Sequence, residues 1–179
     1  MGDKPPARRE QALTDEPIRL VPYDPTWPAQ FSKERKLLEE ALGDLVVGGI
    51  HHVGSTAVPG LEAKPVVDVL VGVRSLETGR ACFGPLALLS YVHAPYRTAE
   101  MHWFCKPHPS RRTHHLHVVP FDSRRFRDEL AFRDHLIGHP DDAAAYASLK
   151  RRLAKQFRHN RDRYSDAKSQ FIEQCLRAK

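Results

Sequence analysis

The sequence of 179 residues lacks the features that mark membrane, secreted or disulfide-stabilised proteins. No apolar run approaches the roughly 20 residues of a membrane-spanning helix, and residues 1–10 lack the apolar core of a secretory signal. The three cysteines, Cys82, Cys105 and Cys175, are odd in number and scattered, which argues against a disulfide framework. We therefore expect a cytoplasmic protein without a membrane span.

The composition that is present is that of an ordinary globular protein, with 41% hydrophobic and 28% charged residues. This length is typical of one domain with a single core. Residues 1–17 combine Pro5, Pro6 and Pro17 with mixed charge and no periodicity, which is typical of a flexible tail. We expect a tail at residues 1–17 and one domain at residues 18–179, in an oligomeric state that the sequence leaves open.

Positive charge is concentrated in the C-terminal third of the chain. Residues 122–179 hold fourteen of the 28 Lys and Arg residues but nine of the 22 Asp and Glu residues. Within them, residues 150–163 carry seven basic side chains and one acidic side chain. Such a surface attracts phosphate groups, so this segment is a candidate site for nucleotides or nucleic acid. A solvated helix face remains the alternative interpretation.

Hydrophobic periodicity and turn residues predict a chain that alternates between helices and strands before ending in helices. Strands are expected at residues 45–53, 66–73, 91–93, 101–106 and 114–120, and helices at residues 25–43, 76–89, 123–137, 141–158 and 162–176. This order predicts an α/β (α+β) fold with a mixed β-sheet core flanked by helices and a C-terminal helical region.

A Gly-Ser turn followed by a buried acidic residue is the most informative local pattern. Gly54 lets the backbone approach a phosphate closely, and the Ser55 hydroxyl can hold phosphate oxygens. Asp68 lies in the apolar strand that follows, where a carboxylate can bind the Mg²⁺ or Mn²⁺ that accompanies a triphosphate. A second carboxylate is expected two residues on, but that position is Leu70. Glu100 is the acidic residue whose position near a predicted strand best allows it to replace this missing carboxylate.

Three lysines are candidates for balancing phosphate charge. Lys64 stands four residues before Asp68 and can either neutralise a phosphate or pair with that carboxylate. Lys168 shares a predicted helical face with Tyr164, so its stem is expected to be half-buried and its ammonium group to reach a cleft or solvent. With Lys150, these residues form the predicted phosphate-binding set.

Two histidines support a different kind of site. His115 and His117 are two residues apart on a predicted strand, so their side chains point to the same face. Together with Asp68 they offer two imidazoles and a carboxylate, a set that suits Zn²⁺, Mn²⁺ or Fe²⁺ better than Mg²⁺. A transition-metal site at Asp68, His115 and His117 is therefore a second hypothesis.

Several stretches in the same order and spacing connect these residues to a known family. They are residues 21–28 (VPYDPTWP), 54–65 (GSTAVPGLEAKP), 114–119 (HHLHVV), 132–136 (FRDHL) and 146–150 (YASLK), with Lys168, Phe171 and Ile172. In these stretches the sequence resembles the GrpB-like family, a branch of the nucleotidyltransferase superfamily. The resemblance implies a nucleotidyltransferase-like core and matches Lys150 and Lys168 to lysines of the family's pattern.

Taken together, the residues and the resemblance leave three functions open. The first is a nucleotidyltransferase-like protein that binds a nucleoside triphosphate or other phosphorylated small molecule with a divalent metal. In it, Asp68, Ser55 and Lys64 would be catalytic, and Gly54, Lys150 and Lys168 would bind phosphate. The second is a His/Asp transition-metal enzyme acting on a small molecule. The third is a fold without catalysis that binds nucleic acid or a protein.

Overall fold

The computed structural model describes residues 17–177. The predicted flexible tail at residues 1–17 therefore lies, except for Pro17, outside the described residues. None of the helices between residues 17 and 177 combines the length and apolar character needed to cross a membrane.

The described chain forms seven α-helices and five strands in the predicted order. The strands are β1 (Ile50–Val53), β2 (Val67–Val73), β3 (Val92–His93), β4 (His102–His108) and β5 (Arg111–Pro120). The helices are α1 (Trp27–Leu42), α2 (Leu76–Gly79), α3 (Phe83–Leu88), α4 (Arg124–Gly138), α5 (Pro140–Gln156), α6 (Arg161–Asp166) and α7 (Ser169–Arg177). The predicted mixed α/β fold with a C-terminal helical region is confirmed.

The five strands form one mixed sheet in the order β1-β2-β5-β4-β3. Strands β2 and β5 run parallel at its centre, and the other neighbours are antiparallel. The register of the central pair places Asp68 opposite His115 and Leu70 opposite His117. Because side chains alternate along a strand, all four point to the same face of the sheet.

The opposite face of the sheet is the apolar core. Helices α1, α2 and α3 lie on this side of the sheet, and their apolar side chains pack against it. The buried residues that form this core include Leu38, Leu42, Val67, Val69, Val71, Val73, Leu86, Phe104, Leu116 and Val118. Trp27 is 2% exposed and belongs to the same core.

Several predicted element boundaries are wrong: the strand predicted at residues 45–53 begins only at Ile50, and others differ for local reasons. The helix predicted at residues 76–89 is interrupted by a 3₁₀ turn at Arg80–Cys82, and Pro85 has no N–H to continue an α-helical ladder from there. The predicted helix at residues 162–176 is two helices, because the Lys168 N–H closes a tighter turn onto the Ser165 carbonyl. The helix predicted to begin at residue 25 begins at Trp27 with Thr26 as its N-cap, and Asp24 Oδ1 accepts hydrogen bonds from Thr26.

Candidate functional site

A cleft of about 900 Å³ lies between the polar face of the sheet and the C-terminal helices. Residues from β2, β4, β5, α4, α5, α6 and α7 line it, together with the turn after β1 and the segment before β4. Among these residues are Gly54, Ser55, Lys64, Asp68, His115, His117, Lys150 and Lys168. The fold thus brings every predicted site residue to one cavity.

Asp68 and His115 form a hydrogen-bonded pair at the floor of the cleft. They are direct neighbours across the parallel strands, and the His115 Nδ1–H donates to Asp68 Oδ1 over 2.9 Å. The backbone of Gly54 lies over the other carboxylate oxygen, so closely that a Cβ at this position would collide with Asp68 Oδ2. With its φ of +70°, Gly54 therefore makes room for the Asp68 carboxylate. Its predicted contact with a phosphate stays a prediction.

The Asp68 carboxylate is ionised at neutral pH. Burial works to raise its pKa, but the hydrogen bond from His115 and the charges of His117 and Lys64 outweigh burial and lower the pKa to about 2. Burial lowers the pKa of His115 to about 4, despite the opposing effect of Asp68. His115 is therefore a neutral imidazole whose Nδ1 carries the proton, because an ionised carboxylate can only accept.

A second carboxylate enters the cleft from a helix, not from the strand. Glu129 on α4 accepts a hydrogen bond from His117 Nδ1 at 2.9 Å and forms an ion pair with Arg125 at 2.9 Å. Burial works to raise the pKa of Glu129, but His117 and Arg125 hold it below its ordinary value. Glu100, the substitute that strand position favoured, also lines the cleft, but its side chain is half-exposed and pairs with Arg125 at 2.8 Å. Glu129 is thus a second, more buried carboxylate in the cleft.

Lys150 reaches the Gly-Ser turn from α5. Its side chain is 2% exposed, and Nζ donates to Ser55 Oγ at 3.0 Å and to the Glu62 carbonyl. Nζ also lies 5.0 Å from the centre of the Tyr146 ring. Burial and the neighbouring charges of Lys64 and Arg151 lower the pKa of Lys150 to about 8. This lysine is therefore held in the cleft without a carboxylate partner among the described residues.

Lys168 and Lys64 lie over the same aromatic ring. Their Nζ atoms are 4.4 Å and 5.4 Å from the centre of the Tyr164 ring. Burial and repulsion from Lys64 and Lys150 lower the pKa of Lys168 to about 7, although Asp68 acts in the opposite direction. We call Lys64, Lys150 and Lys168 the lysine cluster. Burial and mutual repulsion disfavour the charged ammonium groups. An anion bound among them would counteract both effects, so the cluster is a candidate anion-binding site.

Other residues serve the site less directly. Arg133 pairs with Asp134 at 2.7 Å and also donates to the His52 carbonyl at 3.0 Å. Arg133 lines the cleft as well. Of the basic segment 150–163, Lys150 and Arg161 line the cleft, whereas Arg151 forms an ion pair with Glu62. Trp103 is 9% exposed and packs on the His115 ring.

The predicted transition-metal ligands share one face but have separate partners. His115 bonds to Asp68, whereas His117 bonds to Glu129. Among residues 17–177, the group of three ligand side chains whose donor atoms all lie within 4.8 Å of one another is elsewhere, at His135, Asp142 and Cys175. Asp68 and Glu129, as two ionised carboxylates at the floor of the cleft, provide oxygen donors that fit Mg²⁺ or Mn²⁺.

Sequence reasoning missed Glu129, Tyr146 and Tyr164 as site residues. Glu129 lies four residues after Arg125 and four before Arg133, a spacing that places the three on one face of a helix. That pattern was available in the sequence, but it is also typical of solvent-exposed ion pairs. Tyr146 and Tyr164 stand at helical spacings that are also typical of packing residues. Spacing alone therefore does not distinguish a site residue from a packing residue at these positions.

Comparison with known proteins places this architecture in a family. The family model described as GrpB protein matches residues 17–178. The chain is 33% identical to the glutamate-rich protein GrpB of Alkalihalophilus pseudofirmus over 164 residues, which cover 89% of this chain and 94% of that protein. It is also 30% identical to a dephospho-CoA kinase of Mycolicibacterium paratuberculosis, with 90% of this chain matching only 46% of the kinase.

A solved structure agrees with the sequence comparisons. The crystal structure of the conserved protein GrpB from Enterococcus faecalis superposes with a TM-score of 0.79 at 31% identity. The superposition covers 89% of this chain and 96% of the other. With a family model that spans almost all described residues and a relative matched over nearly its whole length, this chain belongs to the GrpB family.

Proposed function

We propose that this protein binds a nucleoside triphosphate, or another phosphorylated small molecule, together with a divalent metal in the cleft. The observation that carries the proposal is the division of charge at one site. Lys150 and Lys168 enter the cleft from the C-terminal helical region and Lys64 from the segment before β2, whereas the ionised Asp68 and Glu129 enter from β2 and α4. A metal-bound phosphate chain carries the complementary charges, since its oxygens are negative and its metal is positive.

The lysines favour a phosphate over a less charged ligand. Within residues 17–177, neither Lys150 nor Lys168 forms an ion pair with a carboxylate, and Lys168 has an aromatic ring as its contact. Holding ammonium groups this way is costly, because burial disfavours their charged form. A multiply charged anion would remove that cost and gain charge-assisted hydrogen bonds. Ser55, already hydrogen-bonded to Lys150, would add a hydroxyl to the same phosphate.

Asp68 is the residue that would hold the metal, with Glu129 as the second carboxylate. The Asp68 side chain is 26% exposed, and its hydrogen bond from His115 occupies one of several lone pairs. A bound Mg²⁺ or Mn²⁺ would neutralise part of the negative charge on the phosphate oxygens. His115 and His117 would then orient the two carboxylates. Lys64 lies close enough to Asp68 to lower its pKa and would balance charge on the phosphates.

Nucleotidyl transfer is the reaction that we propose if the protein is an enzyme. Its support is the Gly54-Ser55 turn beside the strand-borne Asp68, together with the resemblance that links this pattern to nucleotidyltransferases. The similar dephospho-CoA kinase adds support for phosphate chemistry in this part of the family, although the match spans only 46% of that protein. Kinase activity is therefore not part of the proposal.

Calorimetric titration with ATP in the presence of Mg²⁺ or Mn²⁺ tests the proposal. We expect Lys168→Met to weaken binding at least tenfold, because a hydrogen bond to a charged group contributes about 1.5–3 kcal/mol. Asp68→Asn should remove the dependence on metal. Lys155→Met is the matched control, since this exposed lysine lies in the same basic segment but outside the cleft. Absence of binding by any nucleoside triphosphate would contradict the proposal.

The same variants separate the nucleic-acid hypothesis from the nucleotide one. Binding of nucleic acid through residues 150–163 would depend steeply on salt, and Lys155→Met, within that segment, would weaken it more than Lys168→Met, outside it. Asp68→Asn would leave such binding unchanged. Nucleotide binding in the cleft predicts the reverse order of effects.

A His/Asp transition-metal enzyme is the second candidate function. Its support is that His115 and His117 each direct Nδ1 to a carboxylate, the arrangement that often orients metal-binding imidazoles. His115 Nε2 is buried and, among the described residues, has no hydrogen-bond partner. Elemental analysis of the purified protein distinguishes the two functions. Stoichiometric Zn, Mn or Fe that His117→Ala abolishes would favour this candidate.

A further inference from the structure

A second group of metal-binding side chains lies behind the wall of the cleft, where α4, α5 and α7 meet. One donor atom each of His135, Asp142 and Cys175 lies within 4.8 Å of the other two. None of these three side chains lines the cleft, although the adjacent Leu136 and Leu176 do. The group is therefore separate from the proposed nucleotide site.

Each donor comes from a different helix and two of the three are buried. His135 on α4 is 7% exposed, and Cys175 on α7 is 6% exposed. Asp142, in the first turn of α5, accepts a hydrogen bond from His135 Nε2 through Oδ2 at 2.6 Å, and a bound metal would displace that proton. The neighbouring His139 donates from Nδ1 to the His135 carbonyl and stacks on its ring at 4.0 Å. The His135 ring is thus fixed in the orientation that presents Nε2 to the group.

We propose that His135, Asp142 and Cys175 form a binding site for Zn²⁺ or a chemically similar transition metal ion. A thiolate, an imidazole and a carboxylate are the three types of ligand that Zn²⁺ takes in proteins. Mg²⁺ and Ca²⁺ prefer oxygen donors alone, so the cysteine excludes them as the fitting ions. The Asp142 side chain is 44% exposed, which gives the metal a path from solvent and leaves a fourth position for water.

A metal at this site would fasten together the three helices that form the cleft wall. Helix α4 carries Glu129, α5 carries Lys150, and Lys168 directly precedes α7. Occupancy would stabilise the folded protein by mass action, because the three donors converge only in the folded state. The site would then hold the wall in place without contacting the ligand in the cleft.

Titration of the reduced, metal-free, full-length protein with Co²⁺ tests this inference. Cobalt bound to a thiolate gives an intense near-ultraviolet charge-transfer absorption that cobalt bound to nitrogen and oxygen alone lacks. We expect this absorption to saturate at one Co²⁺ per chain and to disappear in Cys175→Ser. The matched control is Cys82→Ser, which alters a cysteine that is also buried but packs in the apolar core and does not belong to this group.

Two further variants separate the loss of a ligand from the loss of the fold. Asp142→Asn changes a half-exposed side chain, and His135→Gln keeps a hydrogen-bonding group, so both should retain the native circular dichroism spectrum. Each is expected to weaken Co²⁺ and Zn²⁺ binding at least tenfold. Asp68→Asn should leave the absorption intact, which keeps this test independent of the proposed nucleotide site. An absorption that is absent in the unmutated protein, or that persists in Cys175→Ser, would overturn the inference.

Discussion

The structure buries charged side chains on both faces of the sheet, but it partners them in opposite ways. On the α1 side, Glu34 is 4% exposed and accepts hydrogen bonds from Lys106 at 2.6 and 2.7 Å and from Tyr91 at 3.0 Å. We call these three residues the Glu34 cluster. On the cleft side, Lys150 and Lys168 approach tyrosine rings and, among residues 17–177, pair with no carboxylate.

In the function that we propose, this difference separates a structural role from a ligand-binding one. In the Glu34 cluster each charge has its partner, so nothing is gained by adding a ligand. In the lysine cluster the pKa values of Lys150 and Lys168 are lowered to about 8 and 7, which means that the fold disfavours their charged forms. Such shifted pKa values are typical of functional sites, where a bound ligand offsets the free-energy cost of burying a charged group. The following variants test this contrast.

Breaking the Glu34 cluster should have the largest effect on stability. Glu34→Ala leaves the ammonium group of Lys106, whose side chain is 16% exposed, without its carboxylate. Removing one partner of a buried ion pair typically costs about 3–5 kcal/mol, and we expect a loss of that size in urea unfolding. Affinity for ATP should be unchanged under conditions where the variant is folded.

Glu39→Ala is the control for this prediction, because Glu39 lies on the same helix and forms an exposed pair with Arg35. Its effect on unfolding should stay below about 1 kcal/mol. Equal losses in Glu34→Ala and Glu39→Ala would show that the Glu34 cluster has no special structural role.

Acid should destabilise the cleft face through His115. Its folded-state pKa of about 4 lies below the ordinary value of 6.5, so the unfolded chain takes up the proton first. The associated stability is fully present above pH 6.5 and is lost as the pH falls toward 4, by about 3 kcal/mol. Urea unfolding at pH 7.5 and 4.5 measures this loss.

The variant His115→Gln should reduce that pH dependence, whereas His159→Gln, at an exposed position, should keep it. Asp68 does not contribute to this stability difference, since its folded-state pKa of about 2 keeps it ionised between pH 7.5 and 4.5. An unchanged pH dependence in His115→Gln would place the acid sensitivity elsewhere, with His52 as the next candidate because its pKa is also about 4.

Removing a lysine from the cleft should stabilise the protein while it weakens binding. The pKa of Lys168 falls from 10.5 to about 7 on folding, so its cost to stability accumulates as the pH decreases from 10.5 and is nearly complete at pH 7. Lys168→Met removes this cost, and we expect a gain of about 1–3 kcal/mol. Lys155→Met should change stability by less than about 0.5 kcal/mol. A loss of stability in Lys168→Met would mean that Lys168 has a structural role like that of Lys106.

The fold was largely predictable because hydrophobic periodicity determines it. The strand predicted at residues 66–73 is observed at Val67–Val73, since its residues are apolar on both faces except at Asp68. The break between α6 and α7 was not predictable, because Ala167-Lys168-Ser169 contains neither glycine nor proline. It arises from hydrogen bonds that local propensity does not specify.

The candidate site was predictable where its residues share a strand or a turn. Asp68 and the pair His115 and His117 follow from alternation along β2 and β5. Glu129 did not follow, because its approach to His117 depends on how α4 crosses the sheet. The same reason hid the group formed by His135, Asp142 and Cys175: the break at Gly138-His139-Pro140 brings the first two together, but Cys175 arrives from a helix 33 residues after Asp142.

The pH dependence of ATP affinity is the smallest effect that distinguishes the two clusters. Bound phosphate favours protonated lysine, so it should raise the pKa values of Lys150 and Lys168 from about 8 and 7. Binding should then take up protons at pH 8, and affinity should fall as the pH rises from 7.5 to 9.5, a range in which the phosphate is already ionised. Calorimetry in two buffers with different ionisation enthalpies measures the uptake. Lys168→Met should reduce the uptake, and Glu34→Ala should leave it unchanged. Binding without proton uptake would show that the phosphate does not contact the lysine cluster.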